Sequence, residues 1–288
     1  MVQQELKQQH FDSIAVGVLN FSQHTFETFV ISPYHQPLFF DLASLTKPLT
    51  LGISYLVMPE LFGEKERLLL NHQAGLPSWS RLPSSGWQQQ ILDYPVAPST
   101  TNYSDLSALR LMLELEKNND GNFISLVKKY WDQDLYYPDL LPPNINCPPT
   151  GMRGGKVVCG EVNDDNAWRI GRPCVHAGLF ATIDALCKTL LLIDQKLNLL
   201  ATIKDEMERS TDRFIGGWDR VENPEKSHYT RGASNSTFGH LGFTGTSIWI
   251  DIEKRVGHVI LSNATQNYSY DRNALNHLRC KISGAIFN

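Results

Sequence analysis

Segments with an imperfect alternation of hydrophobic and polar positions, typical of β-strands, lie near both ends of the chain. Residues 14–31 (IAVGVLNFSQHTFETFVI) are rich in β-branched and aromatic side chains and predict two strands around a polar turn at 22–24. Residues 246–252 and 257–263 predict a hairpin whose turn, at 253–255, is charged. We therefore expect the sheet of this protein to draw its strands from both ends of the sequence.

The apolar residues between these strands recur at helical spacing. Residues 42–57 predict a helix that starts near Ala43 or Ser44, with Asp41 or Ser44 at its N-cap. Pro48 then falls in the first turn, where the backbone N–H that proline lacks would have no partner in any case.

Further helices and one long loop follow along the chain. Helices are predicted at 107–116, 122–131 and 181–202, and a last one at about 271–286. Apolar side chains line one face of this last helix: Leu275, Leu278, Ile282 and Ile286. The Pro-, Gly- and Asn-rich segment 141–155 predicts a loop. This order of elements indicates an α+β fold, with an antiparallel sheet built from both chain ends, flanking helices and an inserted helical subdomain.

The composition is that of a globular protein, with 42% hydrophobic and 19% charged residues in a chain of 288. We predict a single domain over 1–288, with its sheet part at about 1–40 and 205–288 and its mostly helical part at about 41–204. The 26 Lys and Arg residues against 30 Asp and Glu give a net charge of −4, and no long basic run occurs. Nucleic acid and anionic membrane surfaces are therefore not expected as main partners.

Cysteines and the first residues of the sequence bear on its compartment. The five cysteines are widely spaced and contain no C-x-x-C pair: Cys147, Cys159, Cys174, Cys187 and Cys280. This pattern favours a reducing compartment. Because the polar N-terminal residues lack the apolar core of a secretory signal, the expected location is cytoplasmic, or periplasmic or secreted if a leader has been removed. No stretch of 18 apolar residues predicts a membrane span.

The main chemical motif is Ser44-Leu45-Thr46-Lys47, an S-x-x-K at the predicted start of a helix. One helical turn brings the lysine amine within reach of the serine hydroxyl, which becomes a nucleophile when a neighbouring base takes its proton. Backbone N–H groups at the start of the helix point toward a developing oxyanion. A second copy, Ser125-Leu126-Val127-Lys128, lies in an ordinary amphipathic stretch, and we interpret it as a solvated helix face.

Other strings accompany the first copy in a fixed order. The strings are Phe40–Leu49 (FDLASLTKPL), His72–Pro77 (HQAGLP), Tyr103-Ser104-Asp105, Asp164–Ala167 (DDNA), His176–Phe180 (HAGLF) and Phe238–Asp251 (FGHLGFTGTSIWID). Together they resemble the serine β-lactamase/penicillin-binding protein superfamily, in its class C-like esterase and D-aminopeptidase branch. The family motifs are S-x-x-K, Y-x-N, and K-T-G or H-x-G. The resemblance implies a serine β-lactamase/DD-peptidase-like fold.

The resemblance also implies a role for each matching residue. Ser44 would be the acyl-accepting nucleophile, and Lys47 would activate it together with Tyr103, the general base of this branch. The backbone N–H groups of Ser44 and Phe243 would form the oxyanion hole. Gly242 and His240 belong to the third motif: the glycine lets the backbone approach the substrate closely, and the histidine stands where other branches carry lysine.

Two positions depart from the family pattern. Asp105 stands where asparagine is common, and an ionised carboxylate accepts hydrogen bonds but cannot donate one to a substrate carbonyl. It would also hold Lys47 as an ammonium. His240 removes the permanent positive charge of a motif lysine. Both departures favour ester or small amide substrates over β-lactams.

The sequence leaves several alternatives open. Tyr103 could be a core residue, Asp105 could be only a helix N-cap, His72 and His176 could bond the backbone near the site, and the Asp164-Asp165 pair could be a turn. The main prediction is a serine hydrolase without metal or cofactor, esterase-like on small esters or amides. The alternatives are a D-amino-acid peptidase, carboxypeptidase or penicillin-binding protein that acts on peptidoglycan fragments or β-lactams, and a non-catalytic binding protein on the same scaffold.

Overall fold

The structure is a computed structural model that describes residues 2–119, 123–140, 145–267 and 272–288. Its α-helices are α1 (Val2–Leu6), α2 (Ile53–Val57), α3 (Glu64–Leu70), α4 (Trp87–Leu92), α5 (Asp105–Asn118), α6 (Phe123–Val127), α7 (Asp165–Ile170), α8 (Ile183–Leu197), α9 (Leu199–Arg209) and α10 (Asn273–Phe287). Single 3-10 turns lie at Ala43–Leu45, Pro59–Leu61, Lys128–Tyr130 and Pro138–Leu140, and a π-helical turn lies at Pro48–Gly52.

The strands of the described residues form three antiparallel sheets. They are β1 (Ile14–Asn20), β2 (Thr25–Ile31), β3 (Phe40–Asp41), β4 (Leu135–Tyr136), β5 (Gly151–Arg153), β6 (Lys156–Val158), β7 (Phe180–Ala181), β8 (Phe214–Ile215), β9 (Trp218–Arg220), β10 (Thr237–Leu241), β11 (Ser247–Asp251) and β12 (Val256–Ser262). The main sheet has the order β2-β1-β12-β11-β10-β9-β8. The first strand pairs with the last, with Ile14 opposite Ser262, so the predicted sheet from both chain ends is confirmed.

Strand β1 is buried on both faces, and its period of two divides its side chains between two layers of helix. Ile14 and Val16 pack in the cluster that includes the apolar face of α10, whereas Ala15 and Leu19 belong to the larger core. A Cβ at Gly17 would collide with the Cys187 sulfur of α8, so this helix lies close against the strand. The sheet is therefore sandwiched between α10 on one face and α8 on the other.

Three segments differ from the sequence expectation. The predicted helix at 42–57 is a 3-10 turn, a π-helical turn that begins at Pro48, and only then α2. The predicted long helix at 181–202 is two helices, because Asn198 adopts a left-handed conformation (φ 53°) that ends α8 and precedes α9. The loop predicted at 141–155 contains β5, which pairs with β6, and residues 141–144 lie outside the described part.

Helices α5, α6 and α10 agree more closely with the ranges predicted from the sequence. Helix α5 covers the predicted 107–116, and α6 covers part of 122–131, although residue 122 is not among those described. Helix α10 covers most of 271–286, with residue 271 outside the described part. None of the described helices is long and apolar enough to span a membrane.

The small sheet β3-β7-β4 places the S-x-x-K motif beside the main sheet. Strand β7 pairs with both β3 and β4, and Leu42 then donates its backbone N–H to Leu179 O at 2.9 Å. The chain after β3 therefore leaves this sheet directly beside β10 and the turn that follows it. The first and third motifs meet at this junction.

Candidate active site

Ser44 lies in the 3-10 turn that follows β3, and its side chain is partly exposed. The buried side chain of Asp41 stabilises this turn, because its Oδ1 accepts a hydrogen bond from the Ala43 N–H at 2.8 Å. Neither Asp41 nor Ser44 is the N-cap in the predicted sense, because the capping position is Leu42 and no side chain caps it. Ala43 has φ of 46°, a left-handed conformation that alanine rarely adopts.

Lys47 is buried beneath Ser44, and its ammonium donates to three acceptors. Its Nζ lies 3.1 Å from Ser44 Oγ, 2.6 Å from Asp105 Oδ1 and 3.0 Å from the backbone oxygen of His176. Burial disfavours the charged form, but the negative charge of Asp105 outweighs burial, so the pKa of Lys47 is raised above its usual value. Lys47 is therefore an ammonium at neutral pH.

Tyr103 borders the same cleft as Ser44 and packs beside Lys47. Lys47 Nζ lies 4.8 Å from the centre of its ring, and its buried hydroxyl makes no hydrogen bond of good geometry to any described residue. Burial raises the pKa of Tyr103, and the opposing influence of Lys47 and Ser44 does not reverse the shift. A neutral phenol with an uncommitted O–H therefore faces the serine.

Asp105 is the first residue of α5 rather than its N-cap. The N-cap is Ser104, whose hydroxyl accepts the Ser107 N–H at 2.9 Å. The Asp105 carboxylate is free to face Lys47 and borders the cleft above Ser44. The N-cap alternative for Asp105 is therefore wrong, because the residue before it does the capping.

His240 and His72 pack around Tyr103 as neutral rings. His240 is buried on β10 with its ring centre 5.8 Å from that of Tyr103, and its Nδ1 bonds the Leu241 carbonyl oxygen at 2.8 Å. Burial and the charge of Lys47 lower its pKa to about 3, so it carries no charge at neutral pH. His72 lies 4.6 Å from the Tyr103 ring and accepts the Ser104 N–H, as a structural histidine near the site would.

The turn after β10 brings the third motif to Ser44. Gly242 has no room for a side chain, because a Cβ there would overlap Thr246 Oγ1 and lie 2.7 Å from Leu42 O. Phe243 follows with an exposed ring, 5.0 Å from the Arg272 guanidinium. Among the described residues, none accepts a hydrogen bond from the backbone N–H of Ser44 or Phe243. Both are available as oxyanion donors.

An ion pair between the buried His176 and the partly exposed Asp164 lies behind Lys47, and the sequence did not reveal it. His176 Nε2 lies 2.9 Å from Asp164 Oδ1, and Asp164 also caps α7 by accepting the Ala167 N–H. Burial opposes the charge on His176, but Asp164 overcomes it and raises the pKa of His176 to about 10, while the pKa of Asp164 is lowered. The ion pair holds the segment around His176 in place, and the backbone oxygen of His176 accepts a hydrogen bond from Lys47 Nζ.

Ser44 opens into one end of a cleft of about 1270 Å³. Trp79, Met152 and Phe243 are exposed apolar side chains that border this cleft. Three arginines also line it: Arg213, Arg272 and Arg279. None of the motif strings contains these arginines, so they could not be identified from the sequence.

Arg279 is the unusual member of this group, since it is 3% exposed. It donates to Thr246 O at 3.0 Å and to Asn276 Oδ1 at 3.3 Å, and its Nε lacks an acceptor within the described chain. Burial lowers its pKa to about 10. No carboxylate balances its charge in the described residues, so the cleft keeps a cation even though His240 is neutral.

The structure brings all seven predicted site residues together: Ser44, Lys47, Tyr103, Asp105, His240, Gly242 and Phe243. The second S-x-x-K is elsewhere, with Ser125 and Lys128 exposed and outside the cleft. In the part of the chain that the structure describes, no three His, Cys, Asp or Glu side chains are grouped to hold a metal ion.

The model of the Beta-lactamase family matches residues 67–279 of this chain. The matched range includes Tyr103, Asp105 and His240, and it starts after Ser44 and Lys47. A search of curated proteins gives no match.

Several solved structures are similar to this chain over nearly its whole length. A beta-lactamase from Mycobacterium bovis has 16% identity and a TM-score of 0.65, with 99% of this chain and 98% of that chain covered. A class C beta-lactamase mutant has 14% identity and a TM-score of 0.66, with 98% and 95% covered. A beta-lactamase/D-alanine carboxypeptidase from Pseudomonas syringae has 12% identity and a TM-score of 0.67, with 98% and 97% covered. At these identities the similarity establishes the serine β-lactamase/DD-peptidase fold.

Proposed function

We propose that this protein, which belongs to the beta-lactamase family, hydrolyses small esters or amides through an acyl-enzyme on Ser44. The observation that carries the proposal is the convergence of one hydroxyl, one ammonium and one phenol at the end of a cleft. Lys47 Nζ lies 3.1 Å from Ser44 Oγ and 4.8 Å from the centre of the Tyr103 ring. A serine in this setting has both a route for its proton and space for a substrate.

Asp105 is the carboxylate that we assign to the proton path. Because Lys47 is an ammonium and Tyr103 a neutral phenol, neither is a free base in the resting protein. As Ser44 Oγ attacks the carbonyl carbon, its proton moves to Lys47 while a proton of Lys47 moves to Asp105 Oδ1. The distances of 3.1 Å and 2.6 Å support this relay.

Tyr103 then serves as the acid for the leaving group. The carbonyl electron pair moves onto oxygen, the tetrahedral intermediate collapses, and the leaving alcohol or amine takes the phenol proton. Lys47, beside the ring, stabilises the resulting phenolate. Water attacks the acyl-enzyme and returns a proton to Tyr103, and Ser44 regains its own proton from Asp105 through Lys47.

The oxyanion is assigned to the backbone N–H groups of Ser44 and Phe243. Neither group has an acceptor among the described residues, and Gly242 lets its strand approach the first motif closely. Fixed donors of this kind stabilise the charge that develops on the carbonyl oxygen.

Two features support esters and small amides over β-lactams as substrates. Asp105 is committed to Lys47 at 2.6 Å, and a carboxylate cannot donate a hydrogen bond to a lactam side-chain carbonyl. His240 is neutral, so it adds no charge beside the nucleophile. The exposed Trp79, Met152 and Phe243 at the cleft suit an apolar group on the substrate.

Arg279 favours a second candidate, a peptidase that acts on substrates with a free carboxylate. Its guanidinium borders the same cleft and has no carboxylate partner among the described residues. A peptide C-terminus would supply that partner.

The test compares the wild type with Ser44→Ala and Ser125→Ala on three reagents: a fluorophosphonate, p-nitrophenyl acetate and a fluorescent penicillin. We expect the wild type and Ser125→Ala to be labelled by the fluorophosphonate and to hydrolyse the ester, with Ser44→Ala inactive in both. Intact-protein mass spectrometry identifies any acyl adduct. Equal behaviour of wild type and Ser44→Ala with all three reagents would instead indicate a non-catalytic binding protein.

Esters and D-peptides separate the two candidate substrate classes. An esterase hydrolyses p-nitrophenyl acetate far faster than a D-alanyl-D-alanine peptide. Preference for the peptide, lost on amidation of its C-terminus and in Arg279→Gln, would support the peptidase.

A further inference from the structure

Asp41 is a buried carboxylate that the proposed chemistry does not use. Asp41 is the last residue of β3, just before the 3-10 turn that contains Ser44, and 2% of its surface is exposed. Its Oδ1 accepts the Ala43 N–H at 2.8 Å, and its Oδ2 accepts the Asn163 N–H at 2.7 Å. One side chain therefore joins the Ser44 turn to the loop that precedes Asp164.

The first of these hydrogen bonds holds an unfavourable conformation. Ala43 has φ of 46°, where the Cβ of an L-residue is crowded and glycine is normally preferred. The conformation of Ala43 sets the direction of the next peptide, which carries the Ser44 N–H. A carboxylate that fixes Ala43 thus fixes one of the two oxyanion donors.

The backbone of the same segment holds the second donor. Thr244 Oγ1 donates to Asp41 O at 2.7 Å, and Thr246 Oγ1 donates to Leu42 O at 3.1 Å. Both threonines are buried; Thr244 lies in the turn that carries Phe243, and Thr246 follows that turn. The two segments that supply the proposed oxyanion N–H groups are therefore joined by buried hydrogen bonds to the backbone oxygens of Asp41 and Leu42.

We propose that Asp41 is a positioning residue that sets the spacing and direction of the Ser44 and Phe243 N–H groups. This inference rests on the proposed function, because it concerns how the oxyanion hole of that site is built. Burial of this carboxylate is unfavourable, and its pKa is raised to about 6. The unfavourable burial of a carboxylate beside the strained Ala43 backbone argues that this carboxylate has a role at the turn.

The first experiment uses Asp41→Asn, which keeps the shape but turns one acceptor into an amide donor facing a backbone N–H. We measure the rate at which a fluorophosphonate phosphonylates Ser44, which needs no knowledge of the natural substrate, and kcat/KM for p-nitrophenyl acetate per titrated site. Both are expected to fall on the order of 10²-fold, the loss associated with small misplacement of reacting groups. The KM for the ester is expected to change little.

A boronate transition-state analogue distinguishes positioning from simple loss of folded protein. Its affinity is expected to fall by the same factor as kcat/KM, because both depend on the oxyanion donors. The matched control is Asp194→Asn: Asp194 is a buried carboxylate that accepts the Leu200 N–H at 3.0 Å, outside the cleft. It is expected to lower the melting temperature and leave the per-site rate and analogue affinity unchanged.

A rescue variant tests the role of the strained turn. Glycine adopts φ of 46° readily, so Ala43→Gly in the Asp41→Asn background is expected to recover at least about tenfold of the lost rate. If Asp41→Asn fails to fold, Thr244→Val removes the hydroxyl that donates to Asp41 O and is expected to lower the same rate and affinity.

Each outcome has a distinct meaning. Wild-type rate and analogue affinity in a folded Asp41→Asn or Thr244→Val protein would overturn the inference while Ser44→Ala stays inactive and the proposed function stands. Absence of rescue by glycine would also overturn it, since Asp41 would then act through Asn163 alone. Activity in Ser44→Ala would instead remove the proposed function, and the inference with it.

Discussion

Lys47 Nζ lies closer to Asp105 Oδ1, at 2.6 Å, than to Ser44 Oγ, at 3.1 Å. The charge of the lysine is thus balanced by the Asp105 carboxylate. The pairing stabilises the ammonium, and in the proposed relay Asp105 is an acceptor already in contact with Lys47.

Asp105→Asn is expected to lower the rate of acylation by about 10²–10⁴-fold, the range of general acid–base catalysis, because it removes the last acceptor of the relay. Stopped-flow measurement of the p-nitrophenolate burst gives this rate. Asp93→Asn is a suitable control, because that carboxylate is exposed and does not border the cleft. A wild-type burst rate in Asp105→Asn would assign the proton to another base.

Tyr103→Phe is expected to act according to the leaving group. An alkyl ester needs a proton for its alkoxide, whereas p-nitrophenolate leaves without one. The acylation rate is therefore expected to fall by about 10² or more for ethyl acetate and far less for p-nitrophenyl acetate. Equal losses on both esters would point to Tyr103 as the base that takes the Ser44 proton.

Lys47→Ala is expected to lower acylation by at least about 10²-fold, because the variant loses both the relay and the charge beside Tyr103. Lys128→Ala is the matched control from the second S-x-x-K, whose lysine is exposed and outside the cleft. It is expected to keep the wild-type rate. Loss of activity at Lys128 with retention at Lys47 would reverse the choice of motif.

The His176–Asp164 pair predicts a dependence of stability on pH. The pKa of His176 rises from 6.5 in the unfolded chain to about 10 in the folded one, so the folded state keeps a proton that the unfolded state has lost. The stabilising contribution is fully present below pH 6.5 and is lost as the pH rises toward 10. The difference in melting temperature between wild type and His176→Gln should therefore shrink over this range. A constant difference from pH 6 to 10 would contradict the ion pair.

Gly242→Ala is expected to lower both activity and melting temperature, because its Cβ would collide with Thr246 and crowd Leu42 O. Gly284→Ala is the control: its Cβ would meet ordinary contacts at 3.5 Å or more on α10. Replacing a helical glycine by alanine stabilises by roughly 0.5–1 kcal/mol, so this variant should melt at a slightly higher temperature. Differential scanning fluorimetry and ester hydrolysis measure both effects.

Long periodic segments were predictable from the sequence, and short or irregular ones were not. The strands β1, β2, β11 and β12 and the helix α10 follow their hydrophobic patterns. The strands β3, β4 and β7 have two residues each, too few for a period to be read. The break at Asn198 leaves the apolar pattern of α8 and α9 continuous, so the pattern alone predicts one helix.

The site divides in the same way. Ser44, Lys47, Tyr103 and His240 could be predicted because motif strings carry them. Asp41 lies within such a string, but its role depends on the positive φ of Ala43 and on Asn163. Arg279 and the pairing of His176 with Asp164 depend on tertiary structure, which brings distant segments together.

The pairing of β1 with β12 has a consequence for biosynthesis. On the ribosome, β1 can pair only with β2 until β12, its other neighbour in the sheet, has emerged. Thr244 and Thr246, which donate hydrogen bonds to the backbone just before the Ser44 turn, also lie late in the sequence. A nascent chain therefore carries Ser44 long before the contacts around it can form, and contacts of such long sequence separation are a feature that slows folding. The proposed active site of this protein can therefore assemble only after the strands at both ends of the sheet have been synthesised.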